Sequence, residues 1–557
     1  MSMMFQTCLR GAITVGVVTV FSILSGQSAD GPNAEPDGLE LFVRKWIPND
    51  TRAHGGDGLG PMFNESSCVA CHNLGGIGGG GASDKNIDLI NLASLTTRSP
   101  ATAVPFGKTP TAQLDQKPVS SLVINAVAQT IQSSLVSSSR FQLARLLTTR
   151  QPPSEETIKA RKELASQKQR EFHPDFAKSK TVVLHRFGTD SHYREWRSER
   201  VNDKVGARRV GGSSFRFGAN TRNTLGNRPD VQRLRIESQV QTAGLALVST
   251  LFADGSQLIR SQRNATALFG AGRIDQVPED ALREIAKLQQ AENPDQAGRP
   301  SKLADGRLGR FGWKSQTASL EDFTLTACAV ELGLNVPDHE QASLILKPDY
   351  KAPGLDLNSD ECNALVQYLR DLPTPVQRDT TSSQETSEVK AGHSKFTAIG
   401  CSVCHVQKLA SVDGLYSDLL LHDMGQELGD SGSYGIPFSD DQDSDVVSVQ
   451  LANATPVSPF ATAQQTPEQT AKLKGALRQE WRTPPLWGVR DSAPYLHDGR
   501  ARTLEHAIAF HGGQGAKAAL AFFESTPGEK NQVIAFLKSL TAPIGSRTWP
   551  ELPAQTK

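Results

Sequence analysis

The chain has 557 residues, of which 7 are cysteine and 6% are aromatic. So few cysteines exclude a disulfide-dense scaffold. No charge of either sign is in excess: 59 basic residues face 59 acidic ones. A nucleic-acid protein held by a uniformly basic surface is therefore excluded. No apolar run reaches the roughly 20 residues that cross a bilayer. The apolar content is a low 38%, with 47 Gly and 31 Pro, which predicts much loop between small packed units. At roughly 150 residues per domain the length allows three or four units, or fewer with long insertions.

What apolar sequence there is begins at the N-terminus. Arg10 precedes the run Gly11 to Leu24, followed by Ser25, Gly26, Gln27, Ser28 and Ala29. One positive charge, a short apolar segment and small residues form a secretory signal, predicted to cover residues 1–29. The expected compartment is the periplasm or another exported location, with no membrane span in the mature chain. Cys8 would leave with the signal, and six cysteines would remain.

Four of those six fall in two pentapeptides, Cys68-Val69-Ala70-Cys71-His72 and Cys401-Ser402-Val403-Cys404-His405. Both have the form C-x-x-C-H, the attachment signature of c-type haem. Two thiols one turn apart reach the two vinyl groups of one porphyrin, and the adjacent histidine ligates iron. Independent placement of 7 Cys and 12 His would give roughly 0.002 such pentapeptides per chain, so two are not chance. A four-thiolate zinc site would use the same cysteines but needs no histidine after each pair. The expected cofactors are two covalently bound c-type haems, with Cys68, Cys71, Cys401 and Cys404 as attachment points and His72 and His405 as iron ligands.

The sequence around the two motifs repeats. Gly309 to Glu321 aligns with Ala493 to Glu505, which sets Trp313 opposite His497. Upstream, Arg263 to Gly270 resembles Arg482 to Gly488, offset by one residue, and downstream Leu365 to Pro375 matches Val533 to Pro543. The chain thus reads as mainly α, with two cytochrome c-like haem domains in tandem, residues 38–375 and 392–545. The polar stretch Gln377 to Lys390 suits an exposed linker, placed at 376–391. An insertion at about 84–235 lengthens the first domain. It is expected to hold a helix near Glu155 to Phe172, and the period-two pattern from Val231 to Thr250 predicts strands. A second insertion, about 429–474, is acidic and then rich in Ala, Thr, Pro and Gln, and is expected to be a loop.

Together with Asp57 to Asn64, Asp418 to Gly425 and Trp481 to Gly513, these segments resemble the bacterial di-haem cytochrome c peroxidase superfamily. The likeness is closest to its di-haem oxidoreductase, or "thiol oxidoreductase", branch. In the peroxidases of this resemblance, the sixth ligand of the C-terminal haem lies 14 residues after the histidine of the Tyr-x-His-Asp-Gly motif. The resemblance thus implies His511 as an iron ligand, with Met424 as competitor. The same step from Trp313 lands on Ala327, which cannot bind iron, so the N-terminal haem is expected to be open to a small oxidant. Glu331, one helical turn further, would act as acid and base or would be a solvated helix residue. His185, His192 and Tyr193 are alternative caps for this haem or ordinary surface residues. Trp313 matches the family tryptophan between the haems and would relay electrons, or pack the core. Cys328 and Cys362 are expected to form a disulfide, or Cys328 to be redox-active.

The resemblance implies an exported oxidoreductase that takes electrons from a soluble or membrane-bound electron-transfer protein and reduces hydrogen peroxide or a similar oxidant. The alternatives are a six-coordinate electron carrier and an enzyme that oxidises residues of a partner protein. Calcium between the domains follows from the resemblance alone, because no compact acidic loop marks a site.

Overall fold

The computed structural model describes residues 35–94, 154–177, 179–200, 225–241, 246–251, 256–342, 344–347, 349–430, 432 and 478–543. The signal segment and nearly all of the 429–474 insertion lie outside them.

Among the described residues twelve α-helices follow in chain order: α1 (Gly38–Val43), α2 (Glu155–Phe172), α3 (Tyr193–Arg200), α4 (Pro229–Gln241), α5 (Ala271–Asp275), α6 (Glu279–Glu292), α7 (Leu320–Glu331), α8 (Ser359–Arg370), α9 (Ser383–Ala398), α10 (Leu504–Ala509), α11 (Ala516–Glu524) and α12 (Pro527–Ser539). The strands that matter below are β1 (Ile87–Ser94), β2 (Thr181–Leu184), β3 (Ala246–Leu251), β4 (Ser256–Arg263), β5 (Val376–Gln377), β6 (Leu421–Asp423), β7 (Glu480–Arg482) and β8 (Leu540–Thr541). The described protein is mainly helical, as the sequence predicts.

The repeat recurs in three dimensions. Bridges join Phe311 to Thr317 and Tyr495 to Ala501, which are aligned pairs. Within these loops Gly312 (φ 78°) matches Leu496 (φ 71°), and Ser315 (φ 47°) matches Gly499 (φ 69°). A side-chain oxygen then caps the next helix in each half. Ser319 accepts from the Asp322 N–H and Thr503 from the His506 N–H.

Each half also crosses two helices at a glycine. A Cβ on Gly38 of α1 would fall 2.2 Å from the Ala364 carbonyl oxygen of α8, and one on Gly392 of α9 would fall 1.9 Å from that of Gln532 in α12. One turn beyond each glycine, Phe42 packs 5.4 Å from Tyr368 and Phe396 packs 5.3 Å from Phe536, centroid to centroid. The same phenylalanines lie 6.5 Å from His72 and 6.3 Å from His405. The core around α1, α7 and α8 continues into the second half through Leu415, Leu419, Leu420 and Trp487, while Val389, Phe396, Phe522 and Phe536 anchor a separate cluster.

Strands β1 and β2 of the inserted region join β3 and β4, which follow it, in a four-stranded antiparallel sheet of order β2-β1-β4-β3. Helix α2 covers it, with Ala165, Ile90, Val182, Leu184 and Leu258 in one cluster. Helix α2 spans the predicted residues, capped by the Ser154 hydroxyl, which accepts from the Thr157 N–H.

Two expectations change. Val231 to Gln241 is helix, not strand, and only Ala246–Leu251 forms β3. The buried positions Val231 and Ser238 are spaced as a helix requires, and Arg235 Nε between them donates to the Ala509 carbonyl at 2.7 Å. The supposed linker is structured as well. Residues Val376–Gln377 pair with Leu540–Thr541, and α9 begins at Ser383. Its polar residues face solvent while Val389, Gly392 and Phe396 turn inward.

Candidate haem centres

The first centre forms where the short turn Cys68–Ala70 delivers His72. The His72 N–H donates to the Cys68 carbonyl at 3.0 Å. Its Nδ1 lies 3.0 Å from the Thr266 carbonyl oxygen and 3.2 Å from that of Gly79, so Nδ1 is the donor and Nε2 keeps a lone pair for a metal. Burial holds the imidazole pKa below its ordinary value and keeps the ring neutral.

His72 opens on a cavity with about 1150 Å³ of empty space, partly open to solvent. Cys68, Cys71, Trp313, Ala327 and Glu331 line it as well, with Phe42, Leu268 and Leu369 among its apolar walls. Donors and cavity fit a porphyrin bound through two thioethers and one imidazole. Ala327 and Glu331 thus meet on one face of α7. The Glu331 carboxylate accepts from Asn64 Nδ2 at 2.7 Å, and Asn64 Oδ1 accepts from the Arg186 N–H at 3.0 Å.

The alternative caps lie elsewhere. His185 is buried with Nε2 2.8 Å from the Val330 carbonyl oxygen, and the Tyr193 hydroxyl donates to the His185 carbonyl. His192 is exposed, its side chain 79% accessible. None of the three lines the cavity. The expected disulfide is absent too: Cys328 and Cys362 are both free, buried thiols. Cys328 lines the cavity, whereas Cys362 belongs to the first turn of α8. Burial raises both thiol pKa values, that of Cys362 to about 12, which makes them unreactive.

At the second centre, His405 follows the turn Cys401–Val403, and its Nδ1 lies 3.0 Å from the Tyr416 carbonyl oxygen. Across from it stands His511, with Nδ1 2.9 Å from the Ala507 carbonyl oxygen. The two ring centroids are 6.5 Å apart. Metal–imidazole bonds of about 2 Å put two rings that share one metal at roughly this separation. Burial lowers both pKa values, that of His405 to about 4, which leaves two neutral rings. The competitor Met424 is near: a Cβ on Gly515 would lie 3.1 Å from His511 Cβ and 3.2 Å from Met424 Cε.

Sequence reasoning missed two groups. One is Cys404, Asp418 and His422, whose donor atoms all lie within 4.8 Å of one another. It is the sole cluster of this kind among the described residues, and its S, N and O donors do not suit calcium. Burial acts to lower the His422 pKa, yet Asp418 at 2.9 Å holds it well above the usual value. The i, i+4 spacing of Asp418 and His422 was the available signal.

The other group lies beside Trp313. The Trp313 Nε1 donates to the Asn264 carbonyl at 2.8 Å, and the ring packs against the cluster of Leu428, Trp481 and Phe510, adjacent to His511. Trp481 stacks on His497 at 3.8 Å and 11°, with Lys314 Nζ 4.1 Å from the Trp481 ring centroid. Arg263 pairs with Asp430 at 2.6 Å. Trp313 therefore lines the first cavity on one side and touches the neighbourhood of the second histidine pair on the other.

Comparison with known proteins bears on this arrangement. Residues 472–540 match the family model described as "Di-haem oxidoreductase, putative peroxidase". The methylamine utilization protein MauG of Methylorubrum extorquens is 27% identical over 173 residues, which cover 30% of this chain and 38% of MauG. Over these parts of its length the chain is similar to di-haem oxidoreductases of the peroxidase type. The match to MauG spans less than half of that relative's length. Among solved structures, Kuenenia stuttgartiensis hydrazine synthase is 19% identical, with 50% of this chain and 73% of that chain covered and a TM-score of 0.27. A MauG-like protein associated with microbial copper homeostasis is 17% identical, with 48% and 90% covered and a TM-score of 0.22. No described helix is long and apolar enough to cross a membrane.

Proposed function

We propose that this chain is an exported di-haem oxidoreductase that reduces hydrogen peroxide or a similar small oxidant at its first centre. The observation that carries the reading is the difference between the two centres. His511 faces His405 at 6.5 Å, whereas the aligned position in the first half is Ala327, on the wall of an open cavity that also presents Glu331. In this reading residues 38–375 and 392–545 each hold one haem, and Gly11 to Leu24 directs export. Bound haem would supply one-electron redox chemistry at both centres and an open coordination position at the first.

The protein's own groups then divide the work. His72 and His405 would hold iron through Nε2, because carbonyl oxygens occupy both Nδ1 positions. His511 would close the second centre and so confine it to electron transfer. Reduction of one peroxide to two waters consumes two electrons and two protons. Glu331 would take a proton from one oxygen of the peroxide and return it to the leaving oxygen. Its bond from Asn64 aims the carboxylate. Trp313, between the cavity and the cluster beside His511, carries electrons inward from the second centre. A soluble or membrane-bound electron-transfer protein supplies them.

Electron paramagnetic resonance of the ferric protein tests the reading, together with peroxide turnover by a reduced donor. One high-spin and one low-spin iron with turnover supports it. Two low-spin irons that ignore peroxide, cyanide and carbon monoxide would replace it with an electron carrier.

A further inference from the structure

Arg482, on β7, is 6% exposed. Its main-chain N–H donates to the Trp313 carbonyl at 3.0 Å and its Nε donates to the Gly312 carbonyl at 2.8 Å. Its Nη1 is buried and has no hydrogen-bond partner among the described residues. The acidic group that acts on it, Asp418, is already engaged, accepting from His422 Nε2, Gln289 Nε2 and the Leu420 N–H at 2.9, 2.7 and 2.9 Å. A buried guanidinium without an anion is strongly disfavoured, because desolvation is not offset.

The repeat sharpens the contrast. Its counterpart Arg263 is equally buried, but the protein supplies its anion, with Nη1 2.6 Å from Asp430 Oδ2. No described carboxylate plays that part for Arg482. Porphyrins of the haem type carry two propionate carboxylates, which are the anions that the reading above brings to this region.

We infer that Arg482 binds a propionate carboxylate of the haem at the second centre, donating through Nη1. Two observations select that haem. Arg482 does not line the first cavity. The adjacent Thr483 instead grips the segment that holds His405: Ser417 Oγ donates to the Thr483 carbonyl at 2.6 Å, the Thr483 N–H donates to the Leu420 carbonyl at 2.9 Å, and the Tyr416 carbonyl oxygen lies on His405 Nδ1. The inference rests on the assignment of a haem to Cys401, Cys404 and His405.

Spectroelectrochemical titration of the holoprotein, with the two haems resolved by their spectra, tests it. Removing a positive charge beside a haem favours the ferric state. In Arg482→Gln the reduction potential of the low-spin second haem should fall while that of the first stays put. Arg482→Lys, which keeps the charge but loses the planar fork, should fall less. An unchanged second-haem potential, a shift confined to the first haem, or an equal fall in the Gln and Lys variants would overturn the inference. If the Gln variant does not accumulate, the Lys variant decides alone: a downward shift limited to the second haem supports the assignment and its absence refutes it. A haem count below two per chain would instead overturn the underlying reading.

Discussion

His405 and His511 face each other with ring centroids 6.5 Å apart, and in both rings Nδ1 is bound to a main-chain carbonyl oxygen. Both Nε2 atoms are thereby left for one metal. In His511→Ala the second centre should lose its sixth ligand, gain a high-spin ferric signal and bind carbon monoxide when reduced. Absorption and paramagnetic resonance spectra check this. A low-spin signal that persists would point to Met424, near Gly515 and His511, as the ligand in its place.

The glycine at each helix crossing makes a second prediction. An alanine at Gly392 would set its Cβ 1.9 Å from the Gln532 carbonyl oxygen and 2.9 Å from Phe536 Cβ. Overpacking of this kind costs about 1–3 kcal/mol. Gly392→Ala should lower the thermal midpoint and disturb the second centre first, since Phe396 and Phe536 pack there. Gly38→Ala, with the Ala364 carbonyl oxygen at 2.2 Å, should do the same at the first. Thermal melts followed in each haem's own absorption bands separate the two.

These crossings show how much of the fold was legible. The C-x-x-C-H motifs marked the four thiols and both histidines because these depend on local spacing, whereas the step to His511 came from the family resemblance; the structure sets that ring across from His405. The positions Gly38 and Gly392 carried no such signal, since close approach is a property of two helices far apart in sequence. The strand expectation for Val231 to Gln241 failed for a related reason: alternating polarity over a short run also fits a helix that buries Val231 against another element. The linker was misread because Ser, Thr and Glu suit both a coil and a capped helix, and Ser382 caps α9 by accepting from the Glu385 N–H. Arg482 was visible only as an aligned residue; its lack of an anion required the packed structure.

Glu331 meets Ala327 on the wall of the first cavity, held by Asn64. Glu331→Gln keeps the shape and removes the base. The rate of reaction with peroxide should fall by about 10²–10⁴ while the ferric spectrum changes little. Stopped-flow mixing with peroxide measures it, and an unchanged rate would make Glu331 a structural partner of Asn64.

Trp313→Phe removes the indole that touches both neighbourhoods and its bond to the Asn264 carbonyl. Electron equilibration between the centres should slow markedly, with both haem spectra intact. Stopped-flow absorption after partial reduction checks it; equilibration at the native rate would leave Trp313 a packing residue.

Two buried histidines away from both centres set a pH dependence. Burial depresses His173 to about 3 and His185 to about 4, against an ordinary value of 6.5. Both stay neutral in the folded protein, whereas the unfolded chain takes up protons as the pH falls below about 6.5. Stability is therefore full above that value and is lost as the pH drops toward 4, by up to roughly 3 kcal/mol for His185 at one pKa unit per 1.36 kcal/mol. The Arg197 guanidinium and the Asp175 carboxylate act on His185 in opposite directions and are minor beside burial. His185→Gln can still donate to the Val330 carbonyl, the bond His185 Nε2 makes at 2.8 Å. The variant should weaken the loss of stability between pH 6.5 and 4 without changing the haem spectra. Thermal midpoints across that range measure it, and an unchanged slope would mean that His185 is protonated in the folded state.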